Sequence, residues 1–232
     1  MKALWCAALV VALAGCGSIG PARMVQPAAL EARTVEVTVD GMGGGTHGGF
    51  RVAGNTGRYL RAASRLDLFD ELLAFDKGGA EFTVRGPDFP EPVTARCGFR
   101  QTTSTIRIVE FTPKKFSYEC SYEGLQGLRF VLQEAAPVNG VRTLKAERRG
   151  EFMSSGRVYT VRSVHDAVGG IVPLAAPLGY VVDTAGTSIA SVELNGLTPA
   201  LRLPSSPATR GERRDVLLIA LSLAVLWDPA AR

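Results

Sequence analysis

Four cysteines, two histidines and a scatter of serines and carboxylates near glycine-rich turns are the residues of this chain that could do chemistry. Gly43-Gly44-Gly45-Thr46-His47-Gly48 satisfies the G-x-G-x-x-G spacing. That spacing cradles a dinucleotide pyrophosphate only where a helix opens at its end. Here Gly49-Phe50-Arg51-Val52-Ala53-Gly54 continues as strand and turn, so a plain loop is expected. Gly186-Thr187-Ser188-Ile189-Ala190 resembles a nucleophile elbow loosely, but it lies inside a hairpin instead of before a helix, and Ser188 is expected to be a strand serine. His165 beside Asp166 has the composition of a base and its orienter, yet adjacent strand residues point to opposite faces. The carboxylates Asp67, Asp70, Glu71 and Asp76 read as a solvated edge, and neither His47 nor His165 stands at ligand spacing from a cysteine. No catalytic residue, metal set or cofactor is assigned.

The remaining chemistry belongs to the thiols. Lys2 gives a positive start, Ala3 to Ala12 an uncharged apolar run, and Leu13-Ala14-Gly15-Cys16 small residues leading into a cysteine. This is the pattern of an export signal, too short for a spanning helix of about 20 residues. The tetrad resembles the lipobox of bacterial lipoproteins. That resemblance implies cleavage before Cys16, palmitate-type acylation at Cys16, and anchoring in the cell envelope. Gly17 in place of Asp implies, by the sorting of enteric-type lipoproteins, the outer membrane facing the periplasm. Residues 1–15 are then the signal peptide, 16–33 a lipidated cysteine with a Pro-containing tether, and 34–232 a single domain.

Cys6 leaves with the signal, so Cys97 and Cys120 remain as the thiol pair. In an oxidising compartment they are expected to form a disulfide closing a loop of about 24 residues, worth roughly 3.4 kcal/mol on the chain-entropy account. The chain carries 26 basic and 22 acidic residues, and the signal removes only Lys2. So small an excess does not argue for nucleic acid as a partner, and a periplasmic address argues against it. Pairs such as Lys114-Lys115, Arg148-Arg149 and Arg213-Arg214 read as solvated faces, with an anionic-lipid contact as the alternative.

Period-2 alternation dominates the elements that must position these groups. Val35, Val37 and Val39 share one strand face; Val93, Ala95, Cys97 and Phe99 share another; Phe116, Tyr118, Cys120 and Tyr122 share a third. Further strands are expected near 48–54, 80–85, 104–111, 127–134, 141–148, 157–164, 178–183 and 187–194. Were 104–111 to separate the two cysteine strands, these would lie about 9.6 Å apart, beyond the usual Cα range of a disulfide, about 4.4–6.8 Å. The middle segment is therefore expected not to separate them. Residues 64–75 fit either a helix or a hairpin, strand being preferred, with Asp76-Lys77-Gly78-Gly79 as a turn. Gly169 to Leu178 is an apolar loop, fit to cover a core, line a lipid pocket or touch a membrane.

Residues 216–227 are apolar on all sides and rich in Leu and Ala, so helix is expected there. Its 12 residues would span about 18 Å, short of a bilayer core, so Val216, Leu217, Leu218, Ile219, Leu221, Leu223, Val225, Leu226 and Trp227 are expected to be buried in protein. The Tyr180-Val181-Val182-Asp183-Thr184-Ala185-Gly186 hairpin, Arg213-Arg214-Asp215 and the run ending at Trp227-Asp228 resemble the tubby C-terminal, phospholipid-scramblase and LURP-one-related fold. That resemblance implies a mainly β barrel of about twelve strands around a buried hydrophobic C-terminal helix; a β-sandwich or open barrel with one packed helix is the alternative. No phosphoinositide-binding residues of tubby can be matched. The expected function is a non-enzymatic, membrane-tethered envelope lipoprotein that binds a lipid or other apolar ligand. An accessory subunit of an envelope complex and an envelope hydrolase are the alternatives.

Overall fold

In a computed structural model, which describes residues 21–68, 73–104, 116–135, 145–206 and 209–226, the alternating segments form twelve strands and the apolar C-terminal run a helix. In chain order these are α1 (Ala28–Glu31), β1 (Thr34–Thr38), β2 (His47–Val52), β3 (Asn55–Leu68), β4 (Leu73–Gly86), β5 (Phe89–Ser104), β6 (Ser117–Glu123), β7 (Arg129–Glu134), β8 (Arg148–Ser154), β9 (Arg157–Val164), β10 (Gly179–Thr184), β11 (Thr187–Glu193), β12 (Ala200–Pro204) and α2 (Arg210–Ala224). One antiparallel sheet runs β1-β12-β11-β10-β9-β8-β7-β6-β5-β4-β3-β2. Its two edges meet at a single bridge, Asp40 with Arg51, whose N–H groups each donate to the other's carbonyl at 2.9 and 2.8 Å. The result is a nearly closed twelve-stranded barrel with α2 packed in it.

The two ends of the barrel differ. At one end the turns are tight: Ala53-Gly54, Ser155-Gly156 and Ala185-Gly186 each hold both residues at positive φ, from 45° to 84°. This is the type I′ geometry that matches strand twist, with glycine at the second position, where no Cβ opposes it. At the other end the described connections are longer: 39–46 after β1, 165–178 after β9 and 194–199 after β11. We call these the hairpin end and the loop end.

Every residue of α2 from Asp215 to Ala224 is buried. Tyr118 and Tyr122 of β6, Arg61 of β3 and Tyr159 of β9 all reach the helix, which also packs on β5, β11 and β12. It is therefore ringed by the wall, and each leucine removed from water there contributes about 2 kcal/mol.

Several local expectations are corrected by the structure. The helix starts at Arg210, not 216, because Thr209 caps it with a side chain that accepts from the Glu212 N–H at 3.0 Å. It ends at Ala224; Val225 and Leu226 are buried just beyond it, and Trp227 lies outside the described residues. Asp76 to Gly79 are not a turn but lie within β4, paired to β3 and β5, since glycine pairs such as Gly79 with Gly98 sit in the ladder without side chains. Residues 64–68 and 73–75 are strand, and the connection lies at 69–72, outside the described residues. The strand expected at 141–148 begins only at Arg148, where Arg148 and Gly150 occupy positions in line with the inward Phe152 and hide the alternation. β12 and the first half of β3 were not expected; Leu201 and Leu203 give β12 too short a pattern to stand out.

β5 runs on to Ser104 and pairs directly with β6, with 105–115 outside the described residues. Cys97 and Cys120 lie opposite each other, their Cα atoms 4.0 Å apart, joined by a disulfide on the inward face.

Candidate functional site: the loop end of the barrel

A helix that stops inside a barrel leaves its last four carbonyls without intrahelical partners. Here each is satisfied. Leu221 O accepts from Val225 N at 3.0 Å, and Leu223 O from Leu226 N at 3.2 Å. The Tyr118 hydroxyl donates to Ser222 O at 2.8 Å, and Arg61 Nη2 to Ala224 O at 2.7 Å. Arg61 Nη1 donates to the carbonyls of Gly43 at 2.8 Å and Gly45 at 3.3 Å, and its guanidinium lies 4.8 Å from the Tyr59 ring centroid. The glycine-rich loop thus turns carbonyls toward a cation. A phosphate cradle would present N–H groups, so these glycines serve the helix terminus and not a dinucleotide.

Burial dominates the titration of these groups. It pushes the hydroxyls of Tyr118, Tyr122 and Tyr159 above the usual phenol range and pulls the Arg61 guanidinium down. Tyr122 shares a 2.8 Å hydrogen bond with Ser222 Oγ, which itself donates to Leu218 O at 2.8 Å. At the hairpin end, Asp215 is buried and accepts from Tyr159 at 3.3 Å and from Arg214 at 3.1 Å. Arg213 donates to Asp88 at 3.0 Å, and Asn55 donates to the other Asp88 oxygen at 2.8 Å. The helix is thereby fastened at both ends.

The 165–178 connection is held by its own first residue. His165 is buried, and its Nδ1 lies 2.9 Å from Leu174 O. A carbonyl can only accept, so Nδ1 carries a proton, and in the neutral imidazole Nε2 then accepts from Ser163 Oγ at 3.0 Å. Ser163 Oγ also accepts from Arg148 N at 2.9 Å, which fixes its side chain between the β8 backbone and the imidazole. Leu174 N donates to His165 O, Ala146 N to Ala175 O, and Leu178 N to Val164 O. Despite these ties the tip of the loop is open and apolar: Val168 is 67%, Ile171 98% and Val172 73% exposed, and Leu197 of the neighbouring 194–199 connection 94%.

The N-terminal segment docks beside this loop. Met24 bridges Ala167, Val25 N donates to Asp166 O, and Val168 N donates to Arg23 O. Met24 is buried with Val164, Leu178 and Val181 against the outside of the barrel, and the Asn195 side chain donates to Ala22 O. Gly179 makes this possible: a Cβ there would lie 2.1 Å from Val192 O and 2.8 Å from Met24 Sδ. Leu30 of α1 is fully buried as well, so much of the stretch assigned to a tether lies against the domain.

The expected positions fall as follows. Cys16 and its lipobox precede the described residues. Ser188 donates to Asp183 at 2.5 Å, across a bulge between β10 and β11, and Asp183 also accepts from Arg162 at 3.1 Å, which gives Ser188 a turn-closing role. Asp70 and Glu71 lie outside the described residues. Ser188 and His165 have separate partners, so the structure does not bring them together. The sequence reading missed Arg61, Tyr118 and the Ser163–His165 pair.

Concavities on the outer wall differ in character, and one of about 430 Å³ beside Thr56, Gly57, Arg58, Thr83, Arg85 and Pro92 has a largely apolar surface. One of about 600 Å³ is lined by Gln133, Arg149, Glu151, Arg162 and Asp183 among others, and one of about 230 Å³ by Lys145, Arg148, Arg149, Ser163 and His165 among others. Among the described residues no group of His, Cys, Asp and Glu could hold a metal ion, and no helix is long and apolar enough to cross a membrane. No family model, curated protein or solved structure matches the chain.

Proposed function

We propose that this chain is an envelope lipoprotein, cleaved before Cys16, acylated there, and carried on the outer membrane facing the periplasm. The barrel is then a non-enzymatic domain that meets a lipid or other apolar ligand on its outside. The observation that carries the reading is the run Leu13-Ala14-Gly15-Cys16 at the end of an uncharged apolar stretch. The filled interior supports an external ligand surface, because α2 occupies the volume a ligand-binding barrel would keep open. At the loop end, Ile171, Val172 and Leu197 offer apolar contact to such a ligand. A barrel around an apolar C-terminal helix supports kinship with the tubby-like fold. In a bacterial host, Cys16→Ser should abolish incorporation of labelled palmitate and leave the signal uncleaved; label retained in that variant would defeat the proposal. Service as an accessory subunit of an envelope complex fits the same anchor, and cross-linking in intact cells would then give one defined protein adduct. The Ser163–His165 pair favours a hydrolase as the remaining reading, and labelling of Ser163 by a fluorophosphonate would mark it.

A further inference from the structure

We propose that the loop end is a second membrane contact, in which the tips of the 165–178 and 194–199 connections enter the headgroup region of the same bilayer that holds the acyl chains. The inference rests on the lipid anchor at Cys16. Two observations point to a bilayer as the occupant.

The first is reach. The chain is fixed at Ala22 and Arg23, bonded to Asn195 and Val168. Five residues separate Cys16 from Ala22, and an extended chain covers at most about 3.6 Å per step, so the anchor lies within roughly 20 Å of this end. The hairpin end is a barrel's length away, and the docked segment through Met24 prevents the tether from paying out further.

The second is the surface itself. Ile171, Val172 and Leu197, among the most exposed large apolar side chains described, stand on the two connections that grip the N-terminal segment. Exposed apolar residues scattered singly need no explanation; gathered beside a lipid attachment point they do. The loop is pinned at its base through His165 and Leu174, so its tip is presented and not collapsed. Its irregular backbone suits the interface and not the hydrocarbon core, where peptide groups would find no partners.

The test uses the full chain purified from membranes and reconstituted into vesicles of phosphatidylethanolamine with a minority of phosphatidylglycerol, with and without dibrominated phosphatidylcholine. Ile171→Trp and Leu197→Trp report on the loop end; Val158→Trp, in the β8–β9 hairpin, reports on the opposite end. After subtraction of the parent protein's emission, bromolipid should quench roughly half of the emission added at 171 and 197 and leave that at 158 unchanged, as expected for interfacial depth. A diazirine-tailed phospholipid in the same vesicles should tag the peptide carrying Ile171 and Val172 in the unsubstituted protein. Acylated protein with water-like, unquenched emission at 171 and 197 and no tag overturns this contact and leaves the anchor standing. Equal quenching at all three positions also overturns it. Intact mass showing no acyl chain overturns the anchor and this inference together.

Discussion

Tyr118 and Tyr122 make the sharpest residue-scale case, because each places a hydroxyl on a helix it meets only through the fold. Tyr118→Phe strips the partner from Ser222 O in a buried site, where an unsatisfied carbonyl costs about 1–3 kcal/mol. Tyr122→Phe leaves Ser222 Oγ still bonded to Leu218 O and should cost about 1 kcal/mol. Thermal melts of the two variants should rank in that order. The same residues predict a pH effect. Burial raises both phenols in the folded state, so below the unfolded value near 10 neither state titrates and stability is flat. Above it the unfolded chain loses the proton first, and stability falls with pH at about 1.4 kcal/mol per unit for each tyrosine. Denaturant midpoints followed from pH 9 to 11 should decline, and the decline should be shallower in the Tyr118→Phe, Tyr122→Phe double variant.

Among the elements, β5 and β6 carry the prediction with the clearest physical origin. Cys97 and Cys120 face each other in register between strands that also pair at Thr94–Glu123 and Arg100–Ser117. Replacing both by Ala removes the cross-link but not the ladder, so the loss should be about 2–3 kcal/mol, with the barrel still formed, as urea midpoints and far-UV spectra would show. Alternation made such strands legible: the inward row Tyr118, Cys120, Tyr122 gives β6 in the sequence, and all-round apolarity gives the buried helix. β8 was misplaced because Arg148 and Gly150 take positions in line with its buried side chains, and β4 because glycines inside a ladder look like turn residues. Arg61 was not legible at all. Its role depends on Gly43, Gly45 and Ala224, and separations of 16 to 163 residues leave no local trace.

For the whole molecule, wall and helix are one cooperative unit, since a single cluster of buried side chains takes in both. A chain ending at Thr209 keeps all twelve strands but loses their common centre. It should retain strand-like far-UV dichroism, lose near-UV signal, bind a hydrophobic dye, and melt without a sharp transition. A two-state melt for this shortened chain would show that the wall stands without its core. The position of α2 also bears on the order of assembly. β1 closes against β12, and the residues that fill the barrel follow β12. Whenever the chain is delivered from its N-terminus, by synthesis or by threading through a membrane, the pieces that complete wall and interior arrive last. Until then β2 to β11 can form only a hollow sheet with two open edges and its apolar face unsheltered. That interval is when the protein is most vulnerable to aggregation and most in need of a chaperone.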